Sequence, residues 1–261
     1  MNRSVVMLTV LSAATMAVAQ DPVGWWKFDE SGGTVAHASA GSVDGSLMGA
    51  TNFMSGGVAN NALSVPGASS ADYVSFGNNF GFTSGGFTAS AWIKTTEVST
   101  GNTIIMGKHH ATVVAGWMLR LNQDVASYGL PGRASFYVSE GNVGNVPISN
   151  IVVTDGRWHH IVGVYSPGTA SLYVDGVFQD ARSAGVNNAC DADFMVAGAL
   201  VAPNNLNEFQ GGVDDAQLYD RALNADEITY LYRNPGSALP EPATLAVMSL
   251  GLVALLRRKR T

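Results

Sequence analysis

Phe87-Thr88-Ala89-Ser90-Ala91-Trp92-Ile93-Lys94 alternates over eight positions, with Phe87, Ala89, Ala91 and Ile93 at the odd places. Successive side chains of an extended chain point to opposite faces. Phe87, Ala89, Ala91 and Ile93 therefore share one face, and Thr88, Ser90, Trp92 and Lys94 share the other, which predicts a β-strand with one face in a core. Gly116–Leu121 and Ala134–Ser139 read as two further short strands. Trp158–Tyr165 and Ala170–Val174 follow, divided by the turn signal Ser166-Pro167-Gly168. Asp175-Gly176 then stands between Tyr173-Val174 and Val177-Phe178, a hairpin signature, because a type I′ turn needs positive φ at both central residues. The last strand expected is Val213–Tyr219. After it, Asn224 can cap a helix in which Asp226 and Glu227 favour the positive end and Ile228, Leu231 and Tyr232 form an apolar face. Strands recur with no helix between them, so a βαβ arrangement is excluded in favour of a sandwich of two antiparallel sheets.

Composition agrees with an all-β globular body. The 261 residues are 46% hydrophobic and 13% charged, with 23 aromatic residues and one cysteine. Normal apolar content excludes disorder, one cysteine excludes an internal disulfide framework, and no Cys/His cluster has zinc spacing. The stretch 20–239 holds 19 acidic and nine basic residues, a net charge of −10, which argues against nucleic acid as a partner. About 220 residues suit one large β domain.

Both ends read differently. Residues 1–19 place Arg3 before the apolar run Val5–Val10 and close on Ala17-Val18-Ala19, so a secretory signal peptide cleaved after Ala19 is expected. At the other end Pro240-Glu241-Pro242 precedes the apolar run 243–256 and the basic cluster Arg257-Arg258-Lys259-Arg260. That run predicts a short hydrophobic helix. Its 14 residues are fewer than the ~20 that span a bilayer comfortably, and the basic cluster suits a cytoplasmic membrane face.

Four segments in order resemble the LamG-like jelly roll of the concanavalin A-like lectin and glucanase superfamily. They are Gly24–Gly33, which opens Gly24-Trp25-Trp26-Lys27-Phe28-Asp29-Glu30; Gly86–Ile93; Asp155–Ile161 with Leu172–Gly176; and Gly211–Leu223 with Glu227-Ile228. The resemblance runs from about Val23 to Tyr232 and implies a two-sheet antiparallel jelly-roll sandwich. The tail resembles the PEP-CTERM sorting signal. That likeness implies export through a Gram-negative envelope and processing by an exosortase-type enzyme after transient anchoring in the inner membrane. The organisation expected is a signal peptide at 1–19, the jelly roll at 20–233, a linker at 234–239 and the sorting signal at 240–261, with Pro240, Glu241 and Pro242 as its processing residues.

Hydrolases of the superfamily align acidic side chains two apart on one strand, aiming paired carboxylates at a glycosidic bond. None of Glu30, Glu97, Glu140, Glu208, Glu227 and Glu241 stands in such a motif, so no catalytic residue is assigned and no enzyme is expected. The resemblance implies a structural Ca2+ joining the first strand to the last, with Asp214 and Asp29 as side-chain ligands; hard cations take such carboxylate and carbonyl oxygens. Asp214 and Asp215 alternate along a strand, so only one is expected to face the ion. Where relatives carry an aspartate just after the opening strand, this chain has His37.

His159 and His160 should point to opposite faces of a strand in a structural role. His109 and His110, after Lys108, read as a solvated turn, and Cys190 as an inert thiol. Sugar binding needs ring platforms, for which Trp92, Trp117 and Tyr137 are conceivable; no ligand-binding residue is assigned. The function expected is an exported, non-catalytic binding module of the cell surface or exopolysaccharide matrix, with a polysaccharide or surface glycan as partner. The alternatives are a structural or adhesion protein that binds other proteins and, last, a glycoside hydrolase.

Overall fold

The computed structural model describes residues 21–240 except 68–70, 99–102, 111–114, 122–129, 139–145, 186–188, 199, 203–204 and 207–208. The signal peptide with Ala19, the processing residues Glu241 and Pro242 and the apolar run 243–256 lie outside the described residues. No described helix is long and apolar enough to cross a membrane. Asp21–Ala238 is one compact unit.

In chain order the strands are β1 (Gly24–Trp26), β2 (Val35–Ala36), β3 (Gly45–Leu47), β4 (Asn52–Ser55), β5 (Asn61–Val65), β6 (Val74–Ser75), β7 (Phe87–Lys94), β8 (Thr103–His110) and β9 (Ala115–Leu121). There follow β10 (Arg133–Val138), β11 (Ile148–Val152), β12 (Trp158–Ser166), β13 (Thr169–Val174), β14 (Val177–Ser183), β15 (Met195–Val196), β16 (Leu200–Ala202), β17 (Asn205–Leu206), β18 (Gly211–Tyr219) and the helix α1 (Ala225–Arg233). The first sheet runs β14-β13-β12-β7-β18-β5-β4, with β1 also paired to β18; the second runs β11-β10-β9-β8-β15-β6-β3-β2. Pairing of β1 with β18 is antiparallel and joins the first strand to the last. Every long pairing is antiparallel, as the all-β reading expects.

The alternation of β7 falls as the sequence dictates. Phe87, Ala89, Ala91 and Ile93 enter the core between the sheets, where they meet Trp117, Leu119, Phe136, Ile161 and Leu218. Gly163 of β12 makes this packing possible, since a Cβ there would stand 2.4 Å from the Phe136 ring. At the hairpin tip, Asp175 (φ 51°) and Gly176 (φ 75°) both adopt the left-handed conformation that the Asp-Gly pair foretells. Asn224 caps α1 by accepting from the Asp226 and Glu227 amides, and Glu227 answers by accepting from the Asn224 amide, closing a capping box. Ile228 and Leu231 are buried, and Tyr232 stacks on Trp92, so the helix covers the outer face of the first sheet.

Candidate functional site

The acids of the expected calcium site converge on one turn. Asp214 Oδ2 accepts from the backbone N–H groups of Val58 (2.7 Å) and Ala59 (3.2 Å), and its Oδ1 from Asp215 N (2.7 Å). Asp29 Oδ1 accepts from Asn61 N (3.1 Å) and its Oδ2 from Asn60 Nδ2 (3.3 Å). Both therefore pin the 56–60 turn between β4 and β5. No side chain fits at Gly57, where a Cβ would lie 2.5 Å from Asp214 Oδ2.

The strict alternation expected of Asp214 and Asp215 does not hold. A bulge between Asp214 and Gln217, with Asp215 at φ 47°, brings both acids to the outer face. There Asp215 accepts from Trp25 Nε1 (2.6 Å), Gln217 Nε2 (3.0 Å) and Gly236 N (2.8 Å). Both carboxyls are buried, and burial pushes Asp214 up to about 7 despite its three donors. The N–H groups point at the very oxygens a cation would take, so an ion at Asp214 and Asp29 would require those donors to turn away. Among the described residues no three His, Cys, Asp or Glu side chains gather as a metal site.

Beside this turn lies a cleft of about 490 Å³, within the range of roughly 300–1,000 Å³ usual for small-molecule sites. Gly211 and Gly212 of β18 form part of its lining, with Ser64 from β5, Lys94 at the end of β7, and Glu97 and Gln210. Thr95 Oγ1 donates to the Gln210 carbonyl (2.6 Å), and Gln210 N donates to Glu97 Oε2 (3.0 Å), which ties the two segments together. Gly211 holds φ 143°, and a Cβ there would meet the Lys94 carbonyl at 2.3 Å. At Gly212 a Cβ would meet Met54 Cε at 2.6 Å and Trp158 Cη2 at 2.8 Å, so its missing side chain lets the indole and the thioether close in. Trp158 is half-buried and donates from Nε1 to the Gly56 carbonyl (3.3 Å).

Trp158 is the aromatic that the sequence reading passed over. It pairs with Lys94 across the sheet and so shares that residue's outward face, a placement readable from the alternation through His159. The nominated platforms separate. Trp117 is core. Trp92 packs against both His160 (5.1 Å) and Tyr232 (5.6 Å), under α1. Tyr137 is buried on the outer face of the second sheet beside His109.

The histidine pairs also differ from one another. His160 Nε2 bonds Ser90 Oγ (2.8 Å), and burial holds the ring far down, at about 3. His159, on the opposite face, bonds Asp175 Oδ2 (2.8 Å) and Asp155 Oδ1 (3.1 Å), and the Asp175 bond first of all raises its pKa. His109 and His110 are not in a solvated turn. They end β8, where pairing to Gly116 and Ala115 of β9 carries the polar Lys108-His109-His110 run into the sheet, and His109 is buried. Cys190 is a half-buried free thiol.

A family model described as the concanavalin A-like lectin/glucanases superfamily (Laminin_G_3) matches residues 67–229, and the PEP-CTERM protein-sorting motif matches 238–260. No curated protein sequence matches the chain. Among solved structures it is similar to domain 4 of AbnA, an extracellular arabinanase from Geobacillus stearothermophilus in complex with arabinotriose: 18% identity, 83% of this chain, 100% of that one, TM-score 0.59. It is also similar to the botulinum neurotoxin serotype G binding domain (15% identity, 81% of this chain, 50% of that one, TM-score 0.58). Trypanosoma rangeli sialidase in complex with sialic acid matches over 80% of this chain and 32% of its own length, at 16% identity and TM-score 0.57. At these identities the structures share the fold alone. Two antiparallel sheets, one of which pairs the first strand with the last, together with a family match over more than half of its length, place this chain in the concanavalin A-like lectin/glucanases superfamily, with a PEP-CTERM sorting motif at its C-terminal end.

Proposed function

We propose that this protein is an exported, non-catalytic carbohydrate-binding module of the cell surface or exopolysaccharide matrix, and that the glycan seats in the cleft at the ends of β7 and β18. The cleft itself carries this reading. Ser64, Lys94 and Gln210 offer hydroxyl, ammonium and amide groups around a glycine floor, with the Trp158 indole alongside, a mixture that suits a hydroxylated ring. Among the described residues its lining holds one carboxylate, Glu97, whereas glycoside hydrolysis commonly uses two, which favours binding over cleavage. Domain 4 of AbnA, of the same fold, was solved with arabinotriose. The PEP-CTERM motif supports sorting to the cell surface by exosortase-type machinery, with the tail held in the inner membrane until it is processed.

The test is a glycan-array screen of the whole chain beside a Lys94→Ala/Gln210→Ala variant. Saturable binding by the parent that the variant loses is the expected result. A silent array from folded protein, or binding untouched in the variant, overturns the reading.

A second reading, adhesion to proteins, has its own observation. Ile151, Val152, Val177 and Phe178 are all exposed on the edge strands β11 and β14. These strands are linked through Asn150 and Gln179, so the four apolar side chains fall along one edge of the sandwich.

A further inference from the structure

Lys108 stands on the core side of β8. It pairs with Trp117 of β9, a core residue, and is 2% exposed, a place that lysine seldom takes. Its stem passes Gly81, where a Cβ would come within 3.3 Å of Lys108 Cε. The side-chain nitrogen Nζ donates to Asn78 Oδ1 (2.6 Å) and to the Ala192 carbonyl. Both acceptors are uncharged, so the amine is held against a side-chain amide rather than a carboxylate.

The two partners are fastened to one another by backbone bonds. Phe76 N donates to Phe194 O (3.0 Å) and Phe194 N to Gly77 O (2.9 Å). Asn79 closes the turn, with N donating to Gly77 O (2.8 Å) and Nδ2 to Phe76 O (2.7 Å). The 76–79 turn thus docks on the same segment, 192–194, that receives the lysine. Reacting atoms held about 3–3.5 Å apart are in position for attack, and this clamp brings Nζ to the Asn78 amide at that scale. Burial pushes the Lys108 pKa down, against the pull of Cys190, Asp193 and Asp191, and so favours the free amine, which is the nucleophile. Asp193, whose charge reaches Lys108, is set by Ser75 Oγ, which donates to its Oδ2 (2.9 Å). Asn78 keeps an exposed side, an exit for a small leaving group.

We propose that Lys108 and Asn78 form a self-modification site, at which the lysine amine replaces the Asn78 side-chain nitrogen to make an intramolecular isopeptide bond. The Nζ lone pair attacks Asn78 Cγ, and a Cγ–Nζ bond forms. The Cγ–Nδ2 bond then breaks, one Nζ proton passes to Nδ2 through Asp193, and ammonia leaves. Nothing is oxidised or reduced, so no co-reactant is needed. The product ties β8 to the turn before β7, in a chain whose single cysteine allows no internal disulfide. It is independent of the cleft and of any glycan there.

The experiment is mass spectrometry of the whole folded chain after digestion. Trypsin cannot cut after a linked Lys108. The expected product is therefore a branched peptide that joins residues 28–94 to 95–120 and is lighter by one ammonia than the two together. Fragmentation should place the junction between Asn78 and Lys108. Asn78→Ala and Lys108→Arg should each return separate, unmodified peptides. Asp193→Asn, which can still accept from Ser75, should slow linkage by about a hundredfold, seen as free 28–94 in freshly made protein. Free 28–94 from the parent with cleavage after Lys108, a bond from Lys108 to Cys190 in place of Asn78, or complete linkage in fresh Asp193→Asn would each overturn the proposal.

Discussion

Asp214→Asn tests whether the buried acids serve the turn or await an ion. In the parent, Asp214 is 1% exposed, and burial lifts its carboxyl from 3.8 to about 7. The folded state then holds a proton that the unfolded chain releases between those two values. A raised acid contributes stability that is fully present below pH 3.8 and lost as pH rises through about 7. The slope reaches about −1.4 kcal/mol per pH unit, and the whole window is worth of the order of 4 kcal/mol. Asparagine does not titrate, so the difference in unfolding free energy between parent and variant should swing by that amount from pH 4 to pH 8, with the parent relatively stronger in acid. Taking the difference matters. His109 and His160, whose pKa values burial depresses, pull stability the opposite way below their ordinary range but do so in both proteins. Urea unfolding in EDTA at a series of pH values measures it. A difference constant with pH would refute the argument that burial outweighs the three N–H donors. A swing present in EDTA but abolished by calcium would show that a cation displaces those donors, and would refute the assignment of the carboxylate to the turn.

Asp175→Asn should return His159 toward its ordinary pKa, read by NMR titration; no movement would mean that the 2.8 Å bond does not hold the charge. Because His159 is raised in the folded state, that variant should lose roughly 1–2 kcal/mol below pH 6.5, and the loss should shrink as pH rises through the folded value. Gly163→Ala drives a methyl into the Phe136 ring and should cost about 1–3 kcal/mol, seen as a lower Tm, with an unchanged Tm counting against the packing described. Asn224→Ala removes the α1 cap and should cost ~1 kcal/mol in urea unfolding, whereas Asn224→Gly should cost only a few tenths.

The sandwich was legible because its signals are local. Alternation in β7, the Asp-Gly tip with both residues at positive φ, and the Asn224 cap each need only a few adjacent residues, and each holds in the fold. The site is less legible because it depends on register and bulges. Simple alternation separates Asp214 from Asp215, yet Asp215 in the left-handed region turns both carboxyls to one face, and no neighbouring glycine or asparagine announces that bulge. Lys108-His109-His110 reads as water-facing because three polar residues stand together. The pairing to β9 instead gives Lys108 a buried place bonded to Asn78 and Ala192, and leaves His109 buried on the other face. The same logic explains the aromatics. Trp92 and Trp158 both sit on the outward face of the first sheet, and sequence alone cannot say that α1 will fold over one and leave the other half-exposed beside a glycine floor. Aromatic content therefore predicts a core, while the choice of platform belongs to whichever segment returns to cover the sheet. In this chain that segment is the helix whose cap could be read but whose landing place could not.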